Sequence, residues 1–486
     1  MGCGKGSRSG PWLSSKGGRH HHEEPQLGPS RDCGILAAPA LTTYARRLGL
    51  FSGSMAVIGG IIGGGIFRTP AAVAGRLESS ELMLAAWAVG GGIALIGALC
   101  FGELGQRRPK AGGGYVYLRE TWGALPAFLY GWALLLVIAS GAMAAVAVTF
   151  ADYALALTGM PERLTVPLAV GAIVLLTGIN YLGVRPGAIT QNIFTVLKLG
   201  ALAVLIVVGL AAGLPEPAEA VRTAEAEGST SPVIAFGAAL VPILFTYGGW
   251  QQTNFIAEEI IEPERNLPRA LLIGVLVVVV VYLLANLAYL RVLGPAGLAV
   301  STAPAADAMH AVLGPAGRTL IAAGIALSSF GFLNLVILVT PRVFQAMAAD
   351  GLFFSRLAVL HPVYRTPGAA LVLLASWATV LTLTGTFAQL VDYVAFGDWI
   401  FFGLTVAGLF VYRSRDPLGA RGSFRVPGYP WTPALFVAAA VLVVASSVLA
   451  NPVNALIGTG LLGLGVPVYG YWSRRNRGPC YPSAGG

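Results

Sequence analysis

The chain has 486 residues, of which 56% are hydrophobic and only 11% charged, and its mean hydropathy is +0.73. Soluble domains carry about 25% charged residues, so this composition excludes a large soluble enzyme and points to a membrane protein. The net charge of +9 comes from 31 basic and 22 acidic residues scattered along the chain without a cluster, which excludes a nucleic-acid partner.

The first 45 residues, opening MGCGKGSRSGPWLSSKGGRHHHEEPQLGPS, are polar and rich in Gly, Ser and Pro. Such a segment cannot bury a core, and without a long apolar stretch it is not a secretory signal. It reads as a disordered cytoplasmic tail, and the His20–His22 run as part of that tail rather than as a metal site. About twelve apolar runs follow, at 48–74, 82–105, 124–155, 164–183, 190–213, 232–259, 268–293, 315–347, 367–385, 387–412, 431–450 and 452–472. Roughly 20 such residues span the hydrocarbon of a bilayer as a helix. The fold class is therefore an all-α polytopic membrane protein.

The first run contains Ile61-Ile62-Gly63-Gly64-Gly65-Ile66-Phe67. Glycine in a helix interior costs about 1 kcal/mol relative to alanine. Unwinding in a bilayer also frees backbone groups that must find partners, so irregular backbone survives there only where it lines a cavity. The sixth run is interrupted in the same way at Phe245-Thr246-Tyr247-Gly248-Gly249-Trp250. Two broken spans at matching places in two halves mark a transporter's midplane site. Spans 1–5 and 6–10 can be laid over each other, and an odd number of spans per repeat inverts the second. This predicts a disordered cytoplasmic tail over 1–45, a first inverted repeat over 46–213, an extracellular loop over 214–231, a second repeat over 232–412, helices eleven and twelve over 413–473, and a cytoplasmic tail over 474–486. The half-helix starting near Gly65 offers free N–H groups and a positive dipole end to a carboxylate. Carbonyls freed at Ile61 and from Phe245 to Gly248 suit an ammonium. The two together describe an α-amino acid.

Basic residues orient the spans. Only Arg76, Arg163, Arg222, Arg291 and Arg318 fall on one side, with Arg68 ambiguous. The other side carries nineteen, from Arg46 and Arg47 through Arg107, Arg108 and Arg185 to Arg475 and Arg477. The positive-inside rule makes that side cytoplasmic, with both termini. The loop from Pro215 to Ser231, acidic at Glu216, Glu219, Glu225 and Glu227, faces outside. Cys3, Cys33 and Cys480 fall in tails and Cys100 in span two, so neither a disulfide nor a metal site is expected, and no cofactor is called for. Lys198 is the only lysine inside any span. A charge at that depth costs at least about 2.5–3.5 kcal/mol on insertion scales and needs a partner or a role. Glu103 reads as a structural partner of the basic Arg107–Lys110 loop. Asp152, Asp392 and Asp398 read as near helix ends, and Glu258 and Glu259 as partners of basic residues such as Arg265.

These residues resemble the amino acid–polyamine–organocation superfamily, and within it the L-type amino acid transporter branch and its bacterial relatives. The matching stretches are IIGGGIF, FGELGQRRPKAGGGYVYLRETWG, PAFLYGW, QNIFTVLKL and FTYGGWQQTNFIAEEIIEPERNLPRA, and the resemblance covers about residues 45 to 475. It implies twelve helices with a five-plus-five inverted repeat and broken helices one and six. Gly64 and Gly65, beside Gly63, would give N–H groups to the substrate carboxylate. The Ile61, Phe245 and Gly248 carbonyls would take the amine beside Thr246 and Tyr247, and the Phe245 ring would act as an outer lid. The chain departs at Gly64, where relatives often have Ser or Ala. Lys198 would stand where sodium sits in other members of the fold and tie span one to span eight near Ser328 and Ser329, removing a sodium requirement. The loop Pro109–Gly123 would be a cytoplasmic gate element. Animal relatives attach a heavy chain through a cysteine between spans three and four; here that loop reads TGMPERLT, so no disulfide-linked partner is expected. No acidic side chain falls in either break, so small neutral L-amino acids lead as substrates. The alternatives are a proton-coupled symporter, a carrier of cationic amino acids or polyamines, or a non-transporting sensor; no His, Asp and Glu cluster supports an enzyme.

Overall fold

Glycine, proline and charged residues punctuate the apolar runs, and the helices of the chain start and stop at them. In a computed structural model the residues described are 43–77, 79–212, 231–385, 387–416 and 424–475, with 232 and 387–396 described by backbone only. The expectations for the tail up to residue 42, the loop 214–230, Cys3, Cys33 and Cys480 fall outside these, as does the side chain of Asp392. The helices are α1 (Leu50–Ile61), α2 (Thr69–Ala74), α3 (Ser80–Arg107), α4 (Gly114–Trp122), α5 (Ala124–Ala133), α6 (Ala139–Thr158), α7 (Thr165–Tyr181), α8 (Val184–Ala211) and α9 (Pro232–Thr246). They continue with α10 (Pro263–Val300), α11 (Pro304–Leu313), α12 (Pro315–Val339), α13 (Pro341–Ala349), α14 (Gly368–Thr384), α15 (Phe387–Arg415), α16 (Trp431–Ala450), α17 (Pro452–Gly463) and α18 (Gly465–Arg475). Proline opens α10, α12, α13 and α17, where its missing N–H costs nothing. Left-handed glycines close α6 at Gly159 and α14 at Gly385.

Among the described residues, nine helices are long and apolar enough to cross a membrane, and the shorter apolar helices Leu50–Ile61 and Gly368–Thr384 occupy two more of the expected spans. The chain is thus an all-helical, multi-pass membrane protein. Apolar side chains such as Val174, Leu175, Val207 and Leu449 are exposed and form its lipid-facing surface. Inside, small residues let helices approach: a Cβ on Gly53 would lie 3.1 Å from Ala270 Cβ, and one on Gly209 would lie 2.8 Å from Ala288 Cβ.

Both interruptions are present. α1 ends at Ile61, and a 3₁₀ turn over Gly65–Phe67 leads into α2. α9 ends at Thr246, and after Gly249 (φ +109°) the chain continues as a 3₁₀ segment over Trp250–Glu259. The segment kinks at Ile256, whose backbone is not helical (φ −102°, ψ 17°), so it is two short 3₁₀ pieces, the form in which this helix normally occurs. α8 begins six residues before the expected 190, so Lys198 is the fifteenth of its 28 residues and lies near mid-helix, not eight residues in.

Several buried polar side chains are paired across helices, as a low-dielectric interior favours. On α8, α7 and α12, Asn180 Nδ2 donates to Asn334 Oδ1 at 2.9 Å and Asn334 Nδ2 to Gln191 Oε1 at 3.0 Å. Fully buried Glu103 accepts from Arg107 Nε (3.0 Å), Arg413 Nε (3.0 Å) and the Val426 N–H (2.8 Å), which joins α3 to α15. Neither Glu258 nor Glu259 pairs with Arg265, the basic partner expected for them. Glu259 pairs with buried Arg342 at 2.7 Å, and Glu258 accepts from the Ala111 N–H at 3.2 Å. Arg265 is paired with Glu262 instead, because it follows the turn that Glu262 closes and never reaches the interior.

Candidate functional site

The two breaks touch through bare backbone. A Cβ on Gly60 would lie 2.8 Å from the Gly249 carbonyl oxygen, and a Cβ on Gly249 would strike the Gly60 carbonyl. Only glycine allows that approach, and Gly249 also needs its positive φ. Beside this contact lies a cavity of about 540 Å³, within the range of small-molecule sites. Ile61, Gly63, Gly65 and Thr69 line it from the first break and Phe245, Thr246, Gly248 and Gln251 from the second. Tyr130, Phe332, Asp398, Trp399 and Phe402 supply the facing wall.

Of residues 64–66 at the first break, only Gly65 lines this space. Among the described residues, no acceptor is within hydrogen-bond reach of the N–H groups of Gly64, Gly65 and Ile66; the next ones, of Phe67 and Arg68, bond to Gly64 O and Gly65 O. Three unpaired donors at the start of a half-helix suit an anion. Thr69 Oγ1 and Thr246 Oγ1 lie 2.8 Å apart and hold α2 against α9.

Not every residue expected at the site reaches it. Gly64 is exposed and does not line the cavity, since the turn points it outward. Tyr247 is buried away from it, edge-on to Trp87 at 5.7 Å, because the chain reverses at Gly248 and Gly249. The Ile61 carbonyl is not free: it accepts from the Gly63 N–H at 2.9 Å and from Tyr282 Oη at 3.0 Å, which fills both lone pairs. The Phe245 carbonyl accepts from the Gly248 N–H at 3.1 Å, while the Gly248 carbonyl accepts from no described residue. The Phe245 ring stands edge-on to Trp399 at 6.3 Å. It also lines a second cavity, with Arg76, Asn451 and Asn454, so it separates two spaces.

Lys198 is fully buried. Its Nζ donates to Ile62 O at 2.8 Å and Gly59 O at 3.2 Å, and Ser328 Oγ donates to the same Ile62 carbonyl at 3.3 Å. The ammonium therefore sits at the C-terminal end of α1, where cations are favoured, and links α8, α1 and α12. Ser329 is buried but lines no cavity wall. Gly331 makes room for the lysine stem, since its Cβ would lie 3.3 Å from Lys198 Cε.

Two contributors had weak signals in the sequence. Tyr282 bridges the breaks, with its hydroxyl also 3.5 Å from Thr246 O; the only sign was a hydroxyl inside an apolar run. Asp398, expected near a helix end, is the twelfth of the 29 residues of α15 and lines the cavity. On the expected cytoplasmic side, the Gly112–Gly114 turn packs against the 3₁₀ segment. A Cβ on Gly113 (φ +43°) would lie 2.8 Å from the Asn254 carbonyl carbon, and Tyr117 Oη donates to Asn254 Oδ1 at 3.1 Å. Nearby, Asp350 accepts from Tyr115 Oη at 2.9 Å and Arg119 Nη1 at 2.5 Å. Burial raises the Asp350 carboxyl above its usual value, although Arg119 pulls it down.

Comparison with known proteins gives a consistent result. The family model described as amino acid permease matches residues 48–466. The human b(0,+)-type amino acid transporter 1 is 36% identical over 379 residues, 77% of each chain. Large neutral amino acids transporter small subunit 2 is 35% identical in human over 444 residues, 88% of this chain and 81% of the relative. The mouse form is 35% identical over 478 residues, 95% and 88%.

Proposed function

The chain belongs to the amino acid permease family, and we propose that it is a sodium-independent exchanger of small neutral L-amino acids. It works by alternating access around the cavity between its two broken helices. The observation that carries this reading is the unpaired Gly65 N–H, at the start of a half-helix and on the wall of that cavity. In this reading the Gly65 N–H holds the substrate carboxylate, the Gly248 carbonyl takes the ammonium, and Phe245 closes the outer side. Lys198 serves as a built-in cation against the end of α1, which leaves no role for sodium there. Ser328 fixes the same carbonyl, and Ser329 packs behind it.

The wider organisation follows the same reading. Residues 46–213 and 232–412 form two inverted repeats within twelve spans, with 413–473 outside them. The strong bias of basic residues to one side of the spans supports two cytoplasmic termini and a plasma, or inner, membrane location. The substrate is the principal partner, and the loop Thr158–Thr165 offers no cysteine to a covalent one.

The test is efflux of labelled alanine from proteoliposomes, with and without amino acids outside. Efflux that requires an external neutral amino acid and is indifferent to sodium supports exchange. Efflux into empty buffer that follows a pH gradient would replace exchange with proton symport, and no efflux under any condition would remove the transport reading.

A further inference from the structure

The span Ala124–Thr158 is not a plain α-helix. Between α5 and α6, residues Leu134–Ile138 form a single π turn. The Ala139 N–H bonds to Leu134 O, five residues back, where an α-helix reaches four. Such a turn holds one residue too many, is rare, and occurs mostly at functional sites. Ser140 belongs to α6; α pairing joins its N–H to the residue four back, Leu136, so the Leu135 carbonyl is passed over. A buried carbonyl without a donor is costly inside a membrane. Fully buried Ser140 fills that gap, since its Oγ donates to Leu135 O at 2.7 Å. The next carbonyl, of Leu136, accepts from Trp377 Nε1 of α14 at 2.9 Å. Neither Ser140 nor Trp377 lines the cavity.

The π turn decides which residues do. Successive residues of an α-helix stand about 100° apart. On an unbroken helix Ala139 would face away from Tyr130, about 180° round, and Gly141 would share the face of Tyr130 after about three turns. The structure shows the reverse. Tyr130, Leu134, Ala139 and Ala142 line the cavity and Gly141 does not, because one extra residue turns everything after it by about 100°. Two methyl groups therefore stand on the wall where a plain helix would present a glycine.

We propose that Ser140 and Trp377 are positioning residues that hold the π turn, and that the turn narrows the cavity to small neutral side chains. With the cavity read as the amino acid site, on which this rests, the turn supplies its size limit. When either contact is lost, the segment relaxes toward α pairing, which leaves no carbonyl over. Ala139 and Ala142 then swing off the wall, Gly141 replaces them, and larger side chains fit.

Cysteine labelling reads the register without transport. With the four native cysteines replaced by alanine, Ala142→Cys should react with a water-soluble methanethiosulfonate about tenfold or more faster than Gly141→Cys, as an accessible thiol does against a buried one. In a Ser140→Ala or Trp377→Phe background that preference should fall about fivefold or more, as loss of one buried hydrogen bond allows. Exchange in proteoliposomes reads the consequence. External leucine, relative to external alanine, should drive about fivefold or more exchange of internal labelled alanine in both variants than in the wild type. Equal labelling at 141 and 142 in the wild type would overturn the register. Unchanged labelling in both variants would remove Ser140 and Trp377 as positioning residues. A shifted labelling pattern with an unchanged leucine ratio would separate the turn from substrate size and overturn the proposal as well. Absence of all exchange by the wild type, with the labelling pattern intact, would bring down the transport reading and the size limit with it. Should Ser140→Ala fail to fold, Trp377→Phe decides by the same two readouts.

Discussion

Gly60 and Gly249 meet backbone to backbone, with room for no Cβ on either. Gly60→Ala or Gly249→Ala should therefore push the two broken helices apart. Overpacking of this kind costs roughly 1–3 kcal/mol, and exchange should fall at least about tenfold. Gly92→Ala is the control. Gly92 is on α3, is exposed, and its Cβ would meet nothing within 4 Å, so exchange should stay within about twofold. Alanine exchange normalised to protein in the membrane checks both. Full activity in Gly249→Ala would show that the breaks can separate without harm.

Gly65 presents another tight approach, since its Cβ would lie 2.9 Å from Thr246 Cγ2. Gly65→Leu should fill the space beside the unpaired N–H groups and abolish exchange. The protein should still insert and run as a single species in detergent. Normal uptake by this variant would move the carboxylate elsewhere.

Lys198→Ala removes the donor to Ile62 O and Gly59 O. Charge-assisted hydrogen bonds are worth about 1.5–3 kcal/mol each, so turnover should drop about tenfold or more. Membrane insertion should change much less. A variant that exchanges at the wild-type rate would reduce Lys198 to a packing residue.

Tyr282→Phe deletes the hydroxyl that reaches Ile61 O and keeps the ring against Trp87. The expected loss is about 0.5–1.5 kcal/mol, or a few-fold in exchange. Tyr289 lies two turns further along α10, and its buried hydroxyl has no partner. Tyr289→Phe should leave thermal stability equal or higher. Melting curves of the two variants in detergent should thus move in different directions.

Arg342→Met strands Glu259 as an uncompensated buried charge, which costs about 3–5 kcal/mol. The melting temperature should fall sharply. Adding Glu259→Gln to Arg342→Met should recover much of the loss, because the buried charge is then gone. Equal melting of the single and double variants would place the damage in packing.

The span pattern and both breaks were legible because glycine and proline act locally. Gly63–Gly65 and Gly248–Gly249 interrupt their helices, whereas Gly90, Gly91 and Gly92 lie in unbroken α3, and the Trp431–Ala450 helix begins and ends where its apolar run does. What was not legible depends on irregular backbone or distant partners. Between Ile61 and Phe67 the chain has no period, so nothing in the sequence said that Gly63 and Gly65 face the cavity and Gly64 does not. The Ile61 carbonyl looked free because the tyrosine that occupies it is 221 residues away. Asp398 reads as near a helix end although it falls inside the expected 387–412 run, and α15 runs unbroken from Phe387 to Arg415. Lys198 stood out as the only lysine in a span, but the carbonyls it holds could not be read from α8 alone.

The short parallel bridge between Leu48 and Ile260 has a mechanical meaning. The Arg47 and Leu48 N–H groups bond to Glu259 O at 2.9 and 3.0 Å, and the Ile261 N–H bonds to Leu48 O at 2.8 Å. The strand entering α1 is thereby stitched to the strand leaving the 3₁₀ segment. Two doors latched along one edge swing as a single panel. Any opening on that side must carry both chain ends together or unfasten the latch, and the three hydrogen bonds set how firmly it stays shut.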